Sequence, residues 1–166
     1  MNIKMFEAIK KEFDELIGKN RFTRLDSAVL KTMMMLAAVD GSVSEDEITS
    51  FKALAEKCRG YNGESFDALW DSAVHSAGYL LLQSRFLDPD DLVKAFVKEA
   101  EAGFVSEVRM GEKAEREDAF LCLEKMASAD GDYSPVERAC IAALVQRVKE
   151  ARDQMIAERY PRARLF

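Results

Sequence analysis

One string of residues occurs twice in this chain, each time where one helical pattern stops and another begins. Leu36-Ala37-Ala38-Val39-Asp40-Gly41-Ser42-Val43-Ser44-Glu45-Asp46-Glu47 aligns with Met126-Ala127-Ser128-Ala129-Asp130-Gly131-Asp132-Tyr133-Ser134-Pro135-Val136-Glu137, the shared core being Asp-Gly-x-x-Ser-x-x-Glu. Each copy follows an apolar helix and precedes an amphipathic one. The same helix–loop–helix unit is therefore expected at two places, over about 23–60 and 112–157. Helix-end chemistry accounts for most of the string. Gly41 and Gly131 suit the left-handed residue that closes a helix. Ser44 with Glu47, and Ser134 with Glu137, read as capping boxes, and Pro135 falls at the first helical position.

Asp40 and Asp130 are what capping leaves over. A carboxylate at a helix C-terminus meets the negative end of the dipole and is disfavoured by roughly 0.3–1 kcal/mol. Two compensations are open: a local brace to N–H groups at the start of the next helix, or a hard cation held by Asp and Glu oxygens at the loop. The spacing also matches the second half of an EF-hand loop, with Asp40, Gly41, Val43 and Glu47 in register. The first half fails, because Leu36 and Ala38, or Met126 and Ser128, stand where carboxylates belong. Neither copy alone is a calcium loop. A competent site needs acids from elsewhere, such as Glu45, Asp46 or Asp132, or the two copies brought together.

Apolar spacing is helical almost throughout. A first helix carries Phe6, Ile9, Phe13 and Leu16 and stops at Gly18; a second, from about 23 to 39, is apolar nearly all round and reads as the buried centre of a bundle. A third follows Ser44 with Ile48, Phe51, Leu54 and Cys58, and a fourth spans about 64–83 with Phe66, Trp70, Val74, Ala77 and Leu81. Asp88 as N-cap with Pro89 behind it starts a fifth. Gly103 and Gly111 bracket a looser charged stretch before a sixth helix up to Ala129 and a last one from Pro135. No strand pattern stands out. The expected fold is all-α, a bundle of about seven helices forming a single domain over residues 1–166, and a 48% hydrophobic content suffices for one core.

At the duplicated junction the chain resembles the tellurite-resistance TerB-like family, whose signature is Ala-Asp-Gly followed by Glu about seven residues on. Val39-Asp40-Gly41 through Glu47 and Ala129-Asp130-Gly131 through Glu137 both fit, over about Val29–Leu54 and Ala119–Leu144. The resemblance implies a non-enzymatic cytoplasmic helical module that acts with partner proteins in tellurium and other envelope or phage stress. Its metal-binding acids would here be Asp40, Glu47, Asp130 and Glu137, taking a divalent cation, calcium or magnesium. The domain is also similar to the helical N-terminal module of some membrane-anchored DnaJ-like co-chaperones, but this chain has no membrane anchor and no His-Pro-Asp of a J-domain.

Composition narrows the alternatives. A net charge of −6 argues against nucleic acid as partner, and no run reaches the roughly 18 apolar residues of a membrane span. Cys58, Cys122 and Cys140 sit within helical apolar patterns and form no Cys-x-x-Cys pair, so they read as buried thiols in a reducing compartment. The only histidine, His75, reads as a packed or partly exposed helix residue, and Met33-Met34-Met35 as core filling. The basic tail from Glu158 to Phe166 could dock on an acidic partner or a second copy, so self-pairing stays open; a frayed terminus is the plainer reading. The rival to a cation-binding module is a purely structural protein-interaction scaffold whose repeated residues only cap helices.

Overall fold

The structure, a computed structural model, describes residues 7–11, 21–41, 43–57, 63–129, 131 and 133–160. A helical stretch over 7–11 (α1) lies in the first expected helix; Phe6, Phe13, Leu16 and Gly18 fall outside the described residues. Helices α2 (Arg24–Ala38), α3 (Glu45–Lys57), α4 (Phe66–Gln83), α5 (Pro89–Ala100), α6 (Ser106–Val108), α7 (Lys113–Ala127) and α8 (Pro135–Arg159) follow, and a π-helical segment, Glu101–Val105, joins α5 to α6. The fold is all-α. Among the described residues no helix is long and apolar enough to cross a membrane.

The starts of these helices follow from their caps. Thr23 Oγ1 accepts the Asp26 N–H at 3.1 Å, Ser65 Oγ the Ala68 N–H at 3.3 Å, and Asp88 Oδ1 the Asp91 N–H at 2.8 Å with Pro89 behind it. The all-round apolar pattern of α2 predicts a central helix, and every residue from Thr32 to Val39 is buried. Thr32 joins that core because its hydroxyl donates to the Ala28 carbonyl at 2.8 Å. The three consecutive methionines are core residues, as expected. One apolar cluster runs from Ile9 through α2 to Ala151 of α8. An aromatic series stitches α2's neighbours together: Phe22 on Phe66 (6.3 Å), Phe66 on Trp70 (5.8 Å), and Phe51 edge-on to Trp70 (6.3 Å).

Two sequence expectations are corrected. Arg21–Phe22 (β1) pairs antiparallel with Glu64–Ser65 (β2), a ladder of two residues per strand that is too short to leave an alternating pattern. The stretch between Gly103 and Gly111 is not loose at its start. The chain stays helical through Gly103, with Ser106 Oγ donating to the Glu101 carbonyl at 3.0 Å. From α8, Arg147 grips the Glu101 carboxylate with two hydrogen bonds (3.0 and 2.5 Å). Arg152 donates to the carbonyls of Arg109 (2.8 Å) and Gly111 (3.2 Å), and Arg116 to Gly111 (2.7 Å). The ties from Arg147 and Arg152 come from residues more than 40 positions away in sequence, which local pattern cannot show.

Gly78 lies inside α4, and a Cβ built there would meet nothing within 4 Å among the described residues. Gly78→Ala is therefore expected to stabilise the isolated chain by roughly 0.5–1 kcal/mol through the lower entropy of its unfolded state, read as a higher thermal midpoint in dilute solution.

Candidate functional site

Both duplicated junctions carry the same backbone hydrogen bonds. Where α2 ends, Val39 N–H donates to Leu36 (3.4 Å) and Gly41 N–H to Ala38 (3.1 Å); where α7 ends, Ala129 donates to Met126 (3.3 Å) and Gly131 to Ser128 (3.0 Å). Gly41 and Gly131 have φ of +89° and +79°, the left-handed turn that other residues resist.

The chain then enters α3 and α8 through the predicted capping boxes. Ser44 Oγ accepts the Glu47 N–H at 3.1 Å, and Glu47 Oε1 accepts the Ser44 N–H at 2.9 Å. In the second junction Ser134 Oγ accepts the Glu137 N–H at 3.2 Å. Glu137 Oε1 in turn accepts the Ser134 N–H at 3.4 Å and its hydroxyl at 2.7 Å. The sequence shows these caps but not their depth. Glu47 and Glu137 are only 2% and 1% exposed, an uncommon place for carboxylates, whose charged form is costly to remove from water. Glu137 Oε2 is buried with no hydrogen-bond partner among the described residues.

The two junctions also act on each other. Burial pushes the Glu137 carboxyl up from 4.5 to about 7; the Ser134 hydroxyl opposes this, and the negative charges of Asp40 and Glu47 add to it. Asp40, which is exposed, and Glu47 from the first copy therefore lie within electrostatic reach of Glu137 from the second. Asp130, the fourth candidate ligand, falls outside the described residues, as do Ser42 and Asp132. Glu45 and Asp46 are exposed on the first turn of α3. Among the described residues no three His, Cys, Asp or Glu side chains are gathered closely enough to hold a metal ion. The donor set itself, all carboxylate oxygen with one buried orphan, suits a hard divalent cation rather than a soft one. Cys140 supplies no thiolate here, because burial and then the charge of Glu137 push its thiol up to about 12.

A second concavity was not legible in sequence. Adjoining grooves of about 220 and 390 Å³ between α2, α3 and α7 share Asp26, Leu54, Asp118 and Cys122. Cys122 is half-buried, which corrects the expectation of a fully buried thiol; Cys140 is buried as expected, and Cys58 lies outside the described residues. Burial first, then Asp118, raises the Cys122 thiol, so the nucleophilic thiolate is disfavoured. His75 is exposed on α4.

No curated protein and no solved structure matches this chain. The family model of the tellurite resistance protein TerB matches residues 26–159, a span that takes in both acidic junctions and every helix from α2 to α8. The chain belongs to the TerB family.

Proposed function

We propose that this protein is a non-catalytic cytoplasmic module of tellurite and related stress responses, a single domain whose two acidic junctions together take a divalent cation, calcium or magnesium. Asp40, Glu47, Asp130 and Glu137 are its ligands, and ion occupancy tunes the surface offered to partner proteins. The observation that carries this reading is the pair of buried glutamates, one from each junction, within electrostatic reach of each other.

Ser44 and Ser134 fix one oxygen of each glutamate at a helix N-terminus, where the dipole favours negative charge. The second oxygen of each stays buried. When bound, a divalent cation supplies the positive charge that offsets carboxylate burial at this site. The described carboxylates do not already form a closed cage, so ligation has to draw the α2–α3 and α7–α8 junctions together. That coupling would let an ion alter a docking surface. The scaffold reading is favoured by the capping bonds alone, which account for one oxygen of each glutamate without a ligand.

Thermal melting of chelator-treated protein with and without calcium or magnesium separates the two. An ion bound only by the folded state stabilises it by about 2.7 kcal/mol at a hundredfold excess over Kd. The midpoint is expected to rise in the wild type and to stay fixed in Asp40→Asn/Asp130→Asn. A midpoint that no ion moves would return the junctions to capping alone.

A further inference from the structure

Lys10 of α1 meets the start of α4, its Nζ 2.8 Å from Asp67 Oδ1; beyond Asp67 the exposed side chains on the outer face of α4 make no hydrogen bond or ion pair among the described residues, and that face is patterned for a partner. Its inner face is filled by Leu69, Trp70, Ala73, Ala77, Leu80 and Leu81. On the other side Tyr79, Leu82 and Phe86 are 44%, 53% and 76% exposed, Phe86 lying in the turn that prolongs the helix. Scattered exposed apolar residues are ordinary, but these three are neighbours on one face. Asp71, His75, Gly78, Leu82 and Arg85 repeat at alternating spacings of four and three, the seam spacing of paired helices. Gly78 sits at the middle of this seam. Glycine weakens a helix interior relative to alanine, and among the described residues nothing lies close enough to need the missing Cβ. A second helix crossing closely at that point would need it.

We propose that this face binds a second copy of the chain, the two α4 helices crossing antiparallel with Gly78 on the two-fold axis. The seam is complementary to itself in that orientation. Asp71 and Arg85 are equidistant from Gly78 on opposite sides, so each Asp71 meets the partner's Arg85, and the contact closes as a symmetric dimer. Leu82 falls opposite His75, and Phe86 lies over the small side chains of exposed Ala68 and half-buried Ser72 of the other copy. The parallel alternative would place Asp71 against Asp71. A contact built on one helix pair is small, so the dimer is reversible and forms in the micromolar range. This inference does not depend on cation binding at the acidic junctions.

Sedimentation velocity on the full chain, from low to high micromolar concentration, tests it. The wild type is expected to shift from monomer to dimer, and Gly78→Leu, which favours helix but blocks close approach, to remain monomeric. Arg85→Asp raises the dimer Kd about tenfold or more by setting like charges against each other, and Asp71→Arg/Arg85→Asp restores it by exchanging them. A wild type that stays monomeric throughout overturns the proposal. So does a dimer that is indifferent to Gly78→Leu and to the charge reversal. Circular dichroism of each variant confirms that the fold is kept.

Discussion

Glu137→Gln is expected to stabilise the cation-free protein by roughly 3 kcal/mol well above pH 7 and to change it little near pH 4.5. The direction follows from proton linkage. The folded state raises the Glu137 carboxyl from 4.5 to about 7, so between those values the folded chain holds a proton that the unfolded chain has released. Stability from this group is therefore fullest at and below pH 4.5, falls as pH rises toward 7, and stays low beyond. Glutamine keeps the capping box, which accepts either residue, and carries no charge to desolvate. Urea unfolding of both proteins at the two ends of this range should show curves that coincide at the acid end and separate at the alkaline end. Equal separation at both ends would mean that Glu137 titrates normally. The same variant should lose any cation-dependent rise in midpoint, so a more stable protein would be the less responsive one.

Phe51→Ala should be destabilising by about 3–5 kcal/mol, the range for emptying a buried aromatic site. Phe51 is fully buried on α3, edge-on to Trp70 of α4. It lies one turn beyond Glu47 and anchors the helix that carries the first buried carboxylate. The loss should appear as a lower urea midpoint. A loss under about 1 kcal/mol would show that the core collapses around the gap rather than retaining a cavity.

Much of the fold was legible because helix ends are written locally. Ser44, Asp88 and Ser134 cap the helices they were expected to cap, the second helix starts where it was expected with Thr23 as its cap, and Gly41 and Gly131 take the left-handed turn. Those signals need only a few adjacent residues. What the sequence could not show depends on partners far along the chain. Gly103 reads as a break, yet from α8 Arg147 holds the Glu101 carboxylate before it and Arg152 the Arg109 and Gly111 carbonyls after it. Cys122 reads as core, yet three helices leave a groove beside it. The site was half legible for the same reason. Capping chemistry marks Glu47 and Glu137, but their burial and the repulsion between them depend on the tertiary packing that brings the two junctions near each other.

The central claim, that the two acidic junctions form one carboxylate site able to take a cation, is tested most directly by titrating the Glu137 side-chain carboxyl. Carbon-13 NMR would follow it with and without calcium or magnesium. The converged site predicts a midpoint near 7 in chelated protein that moves down when the cation is added, because a ligand to the carboxylate competes with the proton. A midpoint close to 4.5 in both conditions would mean that Glu137 neither feels Asp40 and Glu47 nor meets an ion, and would contradict the claim.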